Sequence, residues 1–183
     1  MVPHNFKSGY EVMRNHFLET PEGKRIVLDG SFDDWPEGTI LANDPIGDAR
    51  VGGDDLTSLR AFEDEDYLYF GIGYAELPLR NLQILLDTDS DGEQEFVIGL
   101  SRWQNAPLYA MVSEVNSPSG QNNTIGSLFL SLNDNFIEMR LRKANLSGLG
   151  EQIRVSVEDK SDNYSQTDDK FGSTYIIPRR NLN

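Results

Sequence analysis

Residues 59–74 read LRAFEDEDYLYFGIGY, two apolar runs on either side of four consecutive acids. Apolar side chains recur at every second position, as in Leu68, Phe70 and Ile72. A period of two is typical of β-strands that bury one face, whereas an amphipathic helix has a period near 3.6. The acids at 63–66 fit a solvated turn between the two runs, so the stretch predicts an antiparallel β-hairpin.

The same period of two returns along most of the chain after residue 25. Glycine- and asparagine-rich segments separate the runs, and little of the sequence has a helical period. About ten short strands of this kind predict an all-β fold, an antiparallel jelly-roll-type β-sandwich. Polar residues at alternate positions, such as Glu138 and Arg140, are expected on a sheet face that meets water. Further alternating runs lie at 26–28, 82–86, 96–100, 108–112, 128–132, 137–141, 153–157 and 175–177.

The N-terminal residues have a different pattern. Ser8 followed by Glu11 fits a capping box, and Pro21 would end the short helix that this box begins. We therefore expect two parts, an N-terminal extension with a short helix at 1–24 and a β-sandwich domain at 25–183.

The composition is strongly acidic, with a formal net charge of −14 and a pI of about 4.4. Such a surface repels polyphosphates, which argues against nucleic acid and anionic membranes as partners. The absence of cysteine excludes disulfides and thiolate metal sites. No apolar run is long enough to be inserted across a membrane. The N-terminus lacks the basic-then-apolar order of a secretion signal, so any export signal has been removed or lies outside this chain.

Aspartates alternate with other residues in the segment 87–92, Asp-Thr-Asp-Ser-Asp-Gly, which directly follows an apolar run. This spacing brings three carboxylates to one point, and Gly92 permits the tight turn that wraps a hard cation. Without a cation the three negative charges would repel one another. We therefore predict a calcium site in this aspartate loop (residues 87–92); a solvated acidic hairpin turn is the alternative. The loop is not an EF-hand, because its twelfth position is Ile98 and its flanks alternate as strands.

Further oxygen ligands are expected for the same ion. Glu93 stands where an EF-like loop donates a backbone carbonyl, and Glu95 follows it. The long acidic segment at 43–55 has no periodicity and could fold over the sheet edge to add two more carboxylates. Six to eight oxygens suit calcium, whereas magnesium would keep more water. The predicted metal ligands are Asp87, Asp89, Asp91, Glu93, Glu95, Asp48 and Asp55.

A polar loop carries Trp103 after the strand that follows the aspartate loop. Sugars present apolar C–H faces ringed by hydroxyls, so a lectin-like site needs an aromatic platform with amide and guanidinium partners. Trp103 offers the platform, and Arg102, Gln104 and Asn105 offer the polar groups. Tyr109 could extend the platform. A tryptophan packed against the edge of the sandwich is the alternative.

Trp35 lies in an acidic, turn-forming segment and is expected to fill the edge of the core with its N–H hydrogen-bonded. No catalytic motif accompanies it: the chain has no cysteine nucleophile, Gly-x-Ser-x-Gly elbow or phosphate-binding loop. The histidines, His4 and His16, both lie in the N-terminal extension. Acids clustered in the turns of a small sandwich argue against a glycosidase-like carboxylate pair. We therefore expect a non-catalytic protein.

The order of these segments resembles that of family 9 carbohydrate-binding modules and their relatives. The opening residues 26–35, Ile-Val-Leu-Asp-Gly-Ser-Phe-Asp-Asp-Trp, carry the resemblance first, and the later segments follow in the same order. Together they cover most of residues 25–177. The later matching segments are Asp44, 47–48, 55–59, 64–70, 85–89 and 137–141.

The resemblance implies a jelly-roll sandwich with bound calcium and a non-catalytic role in extracellular or cell-surface proteins. Founding members hold the ends of sugar chains between two tryptophans. In this chain Trp35 matches the structural Asp-Trp position of the family, which leaves Trp103 for a sugar. The related DOMON-type domains include haem-binding subunits of some dehydrogenases, in which Met111 or Met139 would be an axial ligand.

Three functions follow from these observations. The first is a calcium-stabilised carbohydrate-binding module of a secreted or cell-surface protein, with a glycan or polysaccharide as partner. The second is a structural or interaction module that binds other domains of a larger surface protein and takes no small ligand. The third is a haem-binding electron-transfer domain.

Overall fold

The computed structural model describes residues 26–49, 55–75, 81–101, 109–115, 123–126, 128–132, 135–160 and 167–178. The predicted N-terminal helix, and with it the proposed boundary after residue 24, lies outside these residues. So does the segment that carries Trp103.

Twelve β-strands and a single 3₁₀ turn, Lys143–Asn145, form the described part of the chain. The longer strands follow the alternating runs of the sequence. The strands are β1 (Ile40–Asn43), β2 (Leu56–Glu63), β3 (Tyr67–Tyr74), β4 (Asn81–Asp87), β5 (Phe96–Ser101), β6 (Tyr109–Glu114), β7 (Asn123–Gly126), β8 (Phe129–Leu132), β9 (Phe136–Arg142), β10 (Arg154–Lys160), β11 (Thr167–Lys170) and β12 (Tyr175–Ile176).

Two antiparallel sheets contain these strands. A five-stranded sheet has the order β1-β2-β3-β9-β8, and a seven-stranded sheet has the order β11-β10-β4-β5-β6-β7 with β12 also paired to β10. The predicted hairpin is β2 and β3, in which Ala61 lies opposite Phe70. The prediction of an all-β, antiparallel sandwich is therefore confirmed, while its jelly-roll connectivity stays a prediction.

The hydrophobic core lies between the two sheets. The five-stranded sheet contributes the fully buried Leu59, Phe70 and Met139, and the seven-stranded sheet contributes Ile84 and Ile98. These residues occupy every second position of their strands, as the period of two requires. Burial of each large apolar side chain contributes roughly 1.5 to 3 kcal/mol to stability, which holds the two sheets together.

The strand predicted at 26–28 is wrong, and three short strands were not predicted. Residues 26–28 turn back on themselves, because Asp29 N donates to the Val27 carbonyl and Val27 N donates to Asp34. The missed strands, β1, β7 and β11, each span four residues. Four residues contain too few alternations to separate a strand from a loop.

A second apolar cluster covers the outer face of the five-stranded sheet. Residues 26–35 lie against this face, with Trp35 buried and the ring of Phe32 stacked 4.4 Å from that of Phe136. Gly71 in β3 makes the close approach possible, since a Cβ atom there would lie 2.6 Å from Phe32 Cε1. Residues 26–35 therefore form an outer layer on the sandwich.

Glu138 lies beneath this layer and Arg140 is also buried, so the predicted exposure of both side chains to water is wrong. Glu138 is fully buried and accepts hydrogen bonds from Trp35 Nε1 at 2.7 Å and from Gly30 N at 2.6 Å. Arg140 is also buried, and its guanidinium lies 4.9 Å from the ring centre of Tyr67. The covering segment is more than 100 residues away in the chain, which alternation within β9 does not reveal.

Candidate functional site

The aspartate loop connects β4 to β5 and gathers acidic groups at one end of the seven-stranded sheet. Asp87, Asp89, Asp91 and Glu95 each offer a carboxylate oxygen, and these oxygens all lie within 4.8 Å of one another. We call these four residues the first acidic cluster. The structure thus brings together four of the predicted metal ligands.

Backbone amides organise the carboxylates of this loop. Asp87 Oδ1 accepts a hydrogen bond from Ser90 N at 2.6 Å, and Asp87 Oδ2 accepts one from Gly92 N at 3.1 Å. Ser90 and Gly92 have positive φ values, 66° and 97°, which curl the chain around Asp87. The loop therefore wraps its own carboxylates, as the alternating aspartates predicted.

The first acidic cluster fits the dimensions of a calcium ion. Calcium binds six to eight oxygens at 2.3 to 2.6 Å, so two ligands on opposite sides of it lie about 5 Å apart. The four oxygens all lie within 4.8 Å of one another, close enough for one ion of this size to contact all of them. Arg154 Nη1 lies 3.9 Å from Asp87 Oδ2, beyond hydrogen-bond distance.

A segment before β10 packs on the aspartate loop, a contact that the sequence analysis did not predict. Gly150 N donates to the Thr88 carbonyl at 2.8 Å, and the Ser90 hydroxyl donates to the Gln152 carbonyl at 3.1 Å. A Cβ atom on Gly150 would lie 3.0 Å from Asp89 Cα, so glycine permits the close approach. An ion in the loop would thus fix two segments of chain about 60 residues apart.

Glu93 and Glu95 have different positions. Glu95 Oε2 accepts a hydrogen bond from Thr88 N at 2.6 Å and belongs to the first acidic cluster. Glu93 is exposed, and its backbone N–H donates to Asp91 Oδ1 at 2.8 Å. The Glu93 carboxylate does not join the cluster, so only its backbone carbonyl remains as the predicted ligand.

Asp48 and Asp55 lie elsewhere, contrary to their predicted place around the same ion. Asp48 forms a second group with Asp44 and Asp169, whose carboxylate oxygens also lie within 4.8 Å of one another. We call these three residues the second acidic cluster. Asp55 lies beside it and accepts a hydrogen bond from Gly47 N at 2.7 Å.

The two acidic clusters occupy opposite ends of β4 and β10. Asp87 pairs with Arg154 at one end of this strand pair, while Leu82 pairs with Asp159 at the other. Asp159 pairs in turn with Asp169 of the second acidic cluster. Five residues of extended chain span about 17 Å, so one ion cannot contact both clusters. Sequence reasoning missed this separation because it had no information on strand register.

Burial and the proximity of like charges both raise pKa values at the second acidic cluster. Burial raises the pKa of Asp44, and the neighbouring Asp48, Asp169 and Asp55 raise it further. Burial likewise raises the pKa of Asp169, although hydrogen bonds from Leu56 N and Lys170 N oppose that shift.

Two oxygens of this region also lack donors. Asp44 Oδ2 and Asp55 Oδ1 are enclosed without a hydrogen-bond partner among the described residues. A carboxylate oxygen enclosed in this way is costly unless a cation or a donor compensates its charge. The oxygens available to a metal ion here all belong to carboxylates, which calcium prefers as ligands.

The predicted sugar-binding residues lie mostly outside the described part of the chain. Trp103, Arg102, Gln104 and Asn105 belong to the connection between β5 and β6. Tyr109 begins β6, and its backbone pairs with Ser101. The structure therefore leaves their role a prediction.

Trp35 has the structural position that the sequence predicted. Its ring is buried in the second apolar cluster, and its N–H is hydrogen-bonded to Glu138. Burial raises the pKa of Glu138, while the hydrogen bonds from Trp35 and Gly30 lower it in part. Trp35 is therefore not accessible to a sugar.

The two methionines considered for haem are engaged in packing or in a weak hydrogen bond. Met139 is fully buried in the main core. Met111 Sδ accepts a hydrogen bond from the Thr124 hydroxyl at 3.6 Å. A methionine in a strand usually packs in this way.

Comparison with known proteins identified no relative of this chain. No family model, curated protein or solved structure matches this chain. The described residues also contain no helix with the length and apolar character that crossing a membrane requires. The resemblance to family 9 carbohydrate-binding modules therefore stays a prediction from the residues themselves.

Proposed function

We propose that this chain is a non-catalytic, calcium-stabilised carbohydrate-binding module of a secreted or cell-surface protein. In this proposal calcium binds in the aspartate loop, where it neutralises four converging carboxylates and joins the β4–β5 connection to the segment before β10. The ligand is a neutral glycan or polysaccharide, bound through the loop that carries Trp103.

The observation that carries the proposal is the convergence of Asp87, Asp89, Asp91 and Glu95 within 4.8 Å. In the absence of a cation, four carboxylates at this distance repel one another and oppose folding. A bound ion reverses the sign of that contribution and stabilises the folded state by linkage. We expect Asp48 and Asp55 to bind calcium in the same way, through a separate ion at the second acidic cluster.

Three observations support a carbohydrate ligand. The net charge of −14 favours neutral over anionic partners. The Trp103 loop has the residue types of a sugar platform. The order of segments resembles that of carbohydrate-binding modules.

A printed array of neutral oligosaccharides, probed with the full chain in calcium, tests the proposal. Wild type is expected to bind at least one glycan, and Trp103→Ala is expected to lose that binding. Phe129→Ala is the matched control, because Phe129 is an aromatic residue 44% exposed on β8, in the five-stranded sheet. An array on which wild type binds nothing would contradict the carbohydrate part of the proposal.

A specific observation favours the interaction module as a second candidate. Phe129 and Leu132 are both more than 40% exposed on β8, one of the two edge strands of the five-stranded sheet among the described residues. Apolar side chains on an outer strand are suited to pairing with another domain. A blank array, together with loss of a domain–domain contact in Phe129→Ser, would favour this function.

A further inference from the structure

A polar groove lies on the outer face of the seven-stranded sheet, beside the aspartate loop. It consists of two adjoining cavities of about 230 Å³ and 80 Å³. Both are lined by Leu85, Ser156 and Thr174, so they form one continuous depression. We call this depression the β10 groove.

The strand pattern explains why the groove exists. Leu85 of β4 and Ser156 of β10 lie opposite each other and point away from the core, since their neighbours Ile84 and Val157 are fully buried. Ser156 is small, which leaves space above the sheet. The turn between β11 and β12, residues 171–174, forms the opposite wall of the larger cavity.

The lining has the chemistry of a site for a neutral, hydroxyl-rich ligand. Leu85 gives an apolar floor, while Ser156 and Thr174 offer hydroxyls and Gln94 offers an amide. Hydroxyls and amides both donate and accept hydrogen bonds, as the hydroxyls of a sugar require.

The charges along the groove are balanced. Arg154 faces Asp87 at the loop end, and Lys170 lies opposite Glu158 at the other end. A mixed lining of this kind favours neither an anion nor a cation. Ligand pockets for larger molecules have volumes of about 300 to 1,000 Å³, so this groove fits one sugar unit rather than a long chain.

The groove also shares a wall with the candidate calcium site. Asp87, Gly92 and Gln94 line the smaller cavity, and Asp87 belongs to the first acidic cluster. An ion that orders the aspartate loop would therefore order this wall. Because linkage is reciprocal, a sugar in the groove would then strengthen calcium binding by the same factor.

We propose that the β10 groove binds a single neutral sugar unit and that calcium in the aspartate loop strengthens this binding. The groove lies toward the Asp87 end of β4, whereas Ser101, the residue before the Trp103 segment, pairs with Asn81 at the other end of that strand. This inference rests on the proposed function and adds a second contact for the glycan.

The test uses the ¹⁵N-labelled full chain titrated with the methyl glycosides of glucose, galactose, mannose and N-acetylglucosamine, with calcium and with EDTA. At least one glycoside is expected to shift the amide signals of Ser156, Gly172 and Thr174. EDTA is expected to weaken the binding of that glycoside at least about fivefold, which is the lower end of typical coupling between two sites.

Ser156→Tyr fills the groove from its floor and should weaken the binding of that glycoside at least about tenfold. Gln83→Tyr is the matched control, since Gln83 is half-buried on the same outer face of β4 and is not among the groove residues. Both changes place a good strand former at a strand position, and equal melting temperatures would show that both fold.

The outcomes separate this inference from the proposed function. Shifts confined to residues 101–109, with Ser156→Tyr binding as wild type, would overturn the groove and leave the Trp103 loop as the sugar site. Groove shifts that survive in Trp103→Ala would support it. If no glycoside and no array glycan binds, the carbohydrate function and the groove are both wrong.

Discussion

The two acidic clusters contain the same kind of side chain but are assembled in different ways. The first takes its four members from residues 87–95, within a single connection between neighbouring strands. The second combines Asp44 and Asp48 with Asp169, which is more than 120 residues further along the chain. Similar carboxylate geometry thus arises once from local sequence and once from the packing of distant strands.

This difference has an energetic consequence. The first acidic cluster is organised by amides of its own loop, so its carboxylates converge whenever β4 and β5 pair. In the second, Asp169 binds Leu56 N across 113 residues, so the cluster forms only when the sandwich has folded. A cation at the second cluster would therefore stabilise the tertiary structure more directly than one in the loop.

Removal of calcium is expected to have the largest effect. At a calcium concentration 100 times the dissociation constant, one bound ion stabilises the fold by about 2.7 kcal/mol. For a chain of this size, EDTA should then lower the melting temperature by roughly 5 to 11 °C. We expect Asp89→Ala to remove the part of this shift that comes from an ion in the aspartate loop, as measured by calorimetry with and without calcium.

Glu93→Gln is the matched control for that measurement, because Glu93 lies in the same loop with its carboxylate outside the cluster. It should respond to calcium as wild type does. A calcium shift that survives in Asp89→Ala would assign an ion to the second acidic cluster. An identical melting curve in EDTA and in calcium would show that neither cluster binds the ion.

The Glu138 carboxylate accepts its hydrogen bonds from groups of the protein itself. The stability lost when Glu138 is replaced should therefore not depend on calcium. Glu138→Gln leaves either Trp35 Nε1 or Gly30 N facing an amide N–H₂ group in a buried site. We expect a loss of roughly 1 to 3 kcal/mol in the free energy of unfolding, equal in calcium and EDTA. Urea denaturation measures it, with the exposed Glu151→Gln as control. A loss present only in calcium would contradict this reading.

Glycine conformation in the aspartate loop should have an intermediate effect. A Cβ atom would meet open space at both Gly92 and Gly99, but only Gly92 of the two has a positive φ. Gly92→Ala should therefore cost about 1 to 2 kcal/mol through backbone strain. Gly99→Ala, in the middle of β5, should be neutral or stabilising. Equal melting temperatures for the two variants would show that the loop relaxes without cost.

The smallest effect concerns the pH dependence of the second acidic cluster. The pKa of Asp44 is raised in the folded state, so folding without metal favours its protonated form. Its contribution to stability therefore falls as pH rises from the unfolded value, near 3.8, through the raised folded value. In EDTA, the free energy of unfolding of Asp44→Asn should therefore rise relative to that of wild type as pH increases across this window, by less than about 1 kcal/mol.

Bound calcium reverses that sign, because the ion stabilises the charged form of Asp44. In calcium, Asp44→Asn should lose stability relative to wild type as pH rises. Urea denaturation of both proteins from pH 4 to pH 7 measures the difference. The same sign in calcium and in EDTA would argue against an ion at the second acidic cluster.

Much of the fold was predictable from alternation. The β2–β3 hairpin, β4, β5, β9 and β10 all follow runs with a period of two, since alternate residues of a strand face opposite sides of a sheet. The aspartate loop was predictable for a similar reason, because its converging carboxylates lie within nine residues of chain. The buried position of Trp35 also agreed with its place in a turn segment.

Contacts between distant residues were not predictable. Alternation shows that Glu138 and Arg140 face away from the core. It does not show that residues 26–35 cover Glu138, or that the guanidinium of Arg140 lies over the rings of Tyr67 and Phe129. It does not place Asp48 and Asp55 at the end of the sheet opposite the aspartate loop. Such positions depend on strand order and register, which a single sequence with a period of two leaves open.

The chain itself specified its strands and its aspartate loop, because both depend on the chemistry of residues that are close neighbours along the backbone. The folded sandwich decided which face is covered, where the second acidic cluster forms and where the β10 groove opens. Each of these features joins segments far apart in the chain, and their meeting depends on the packing of two sheets.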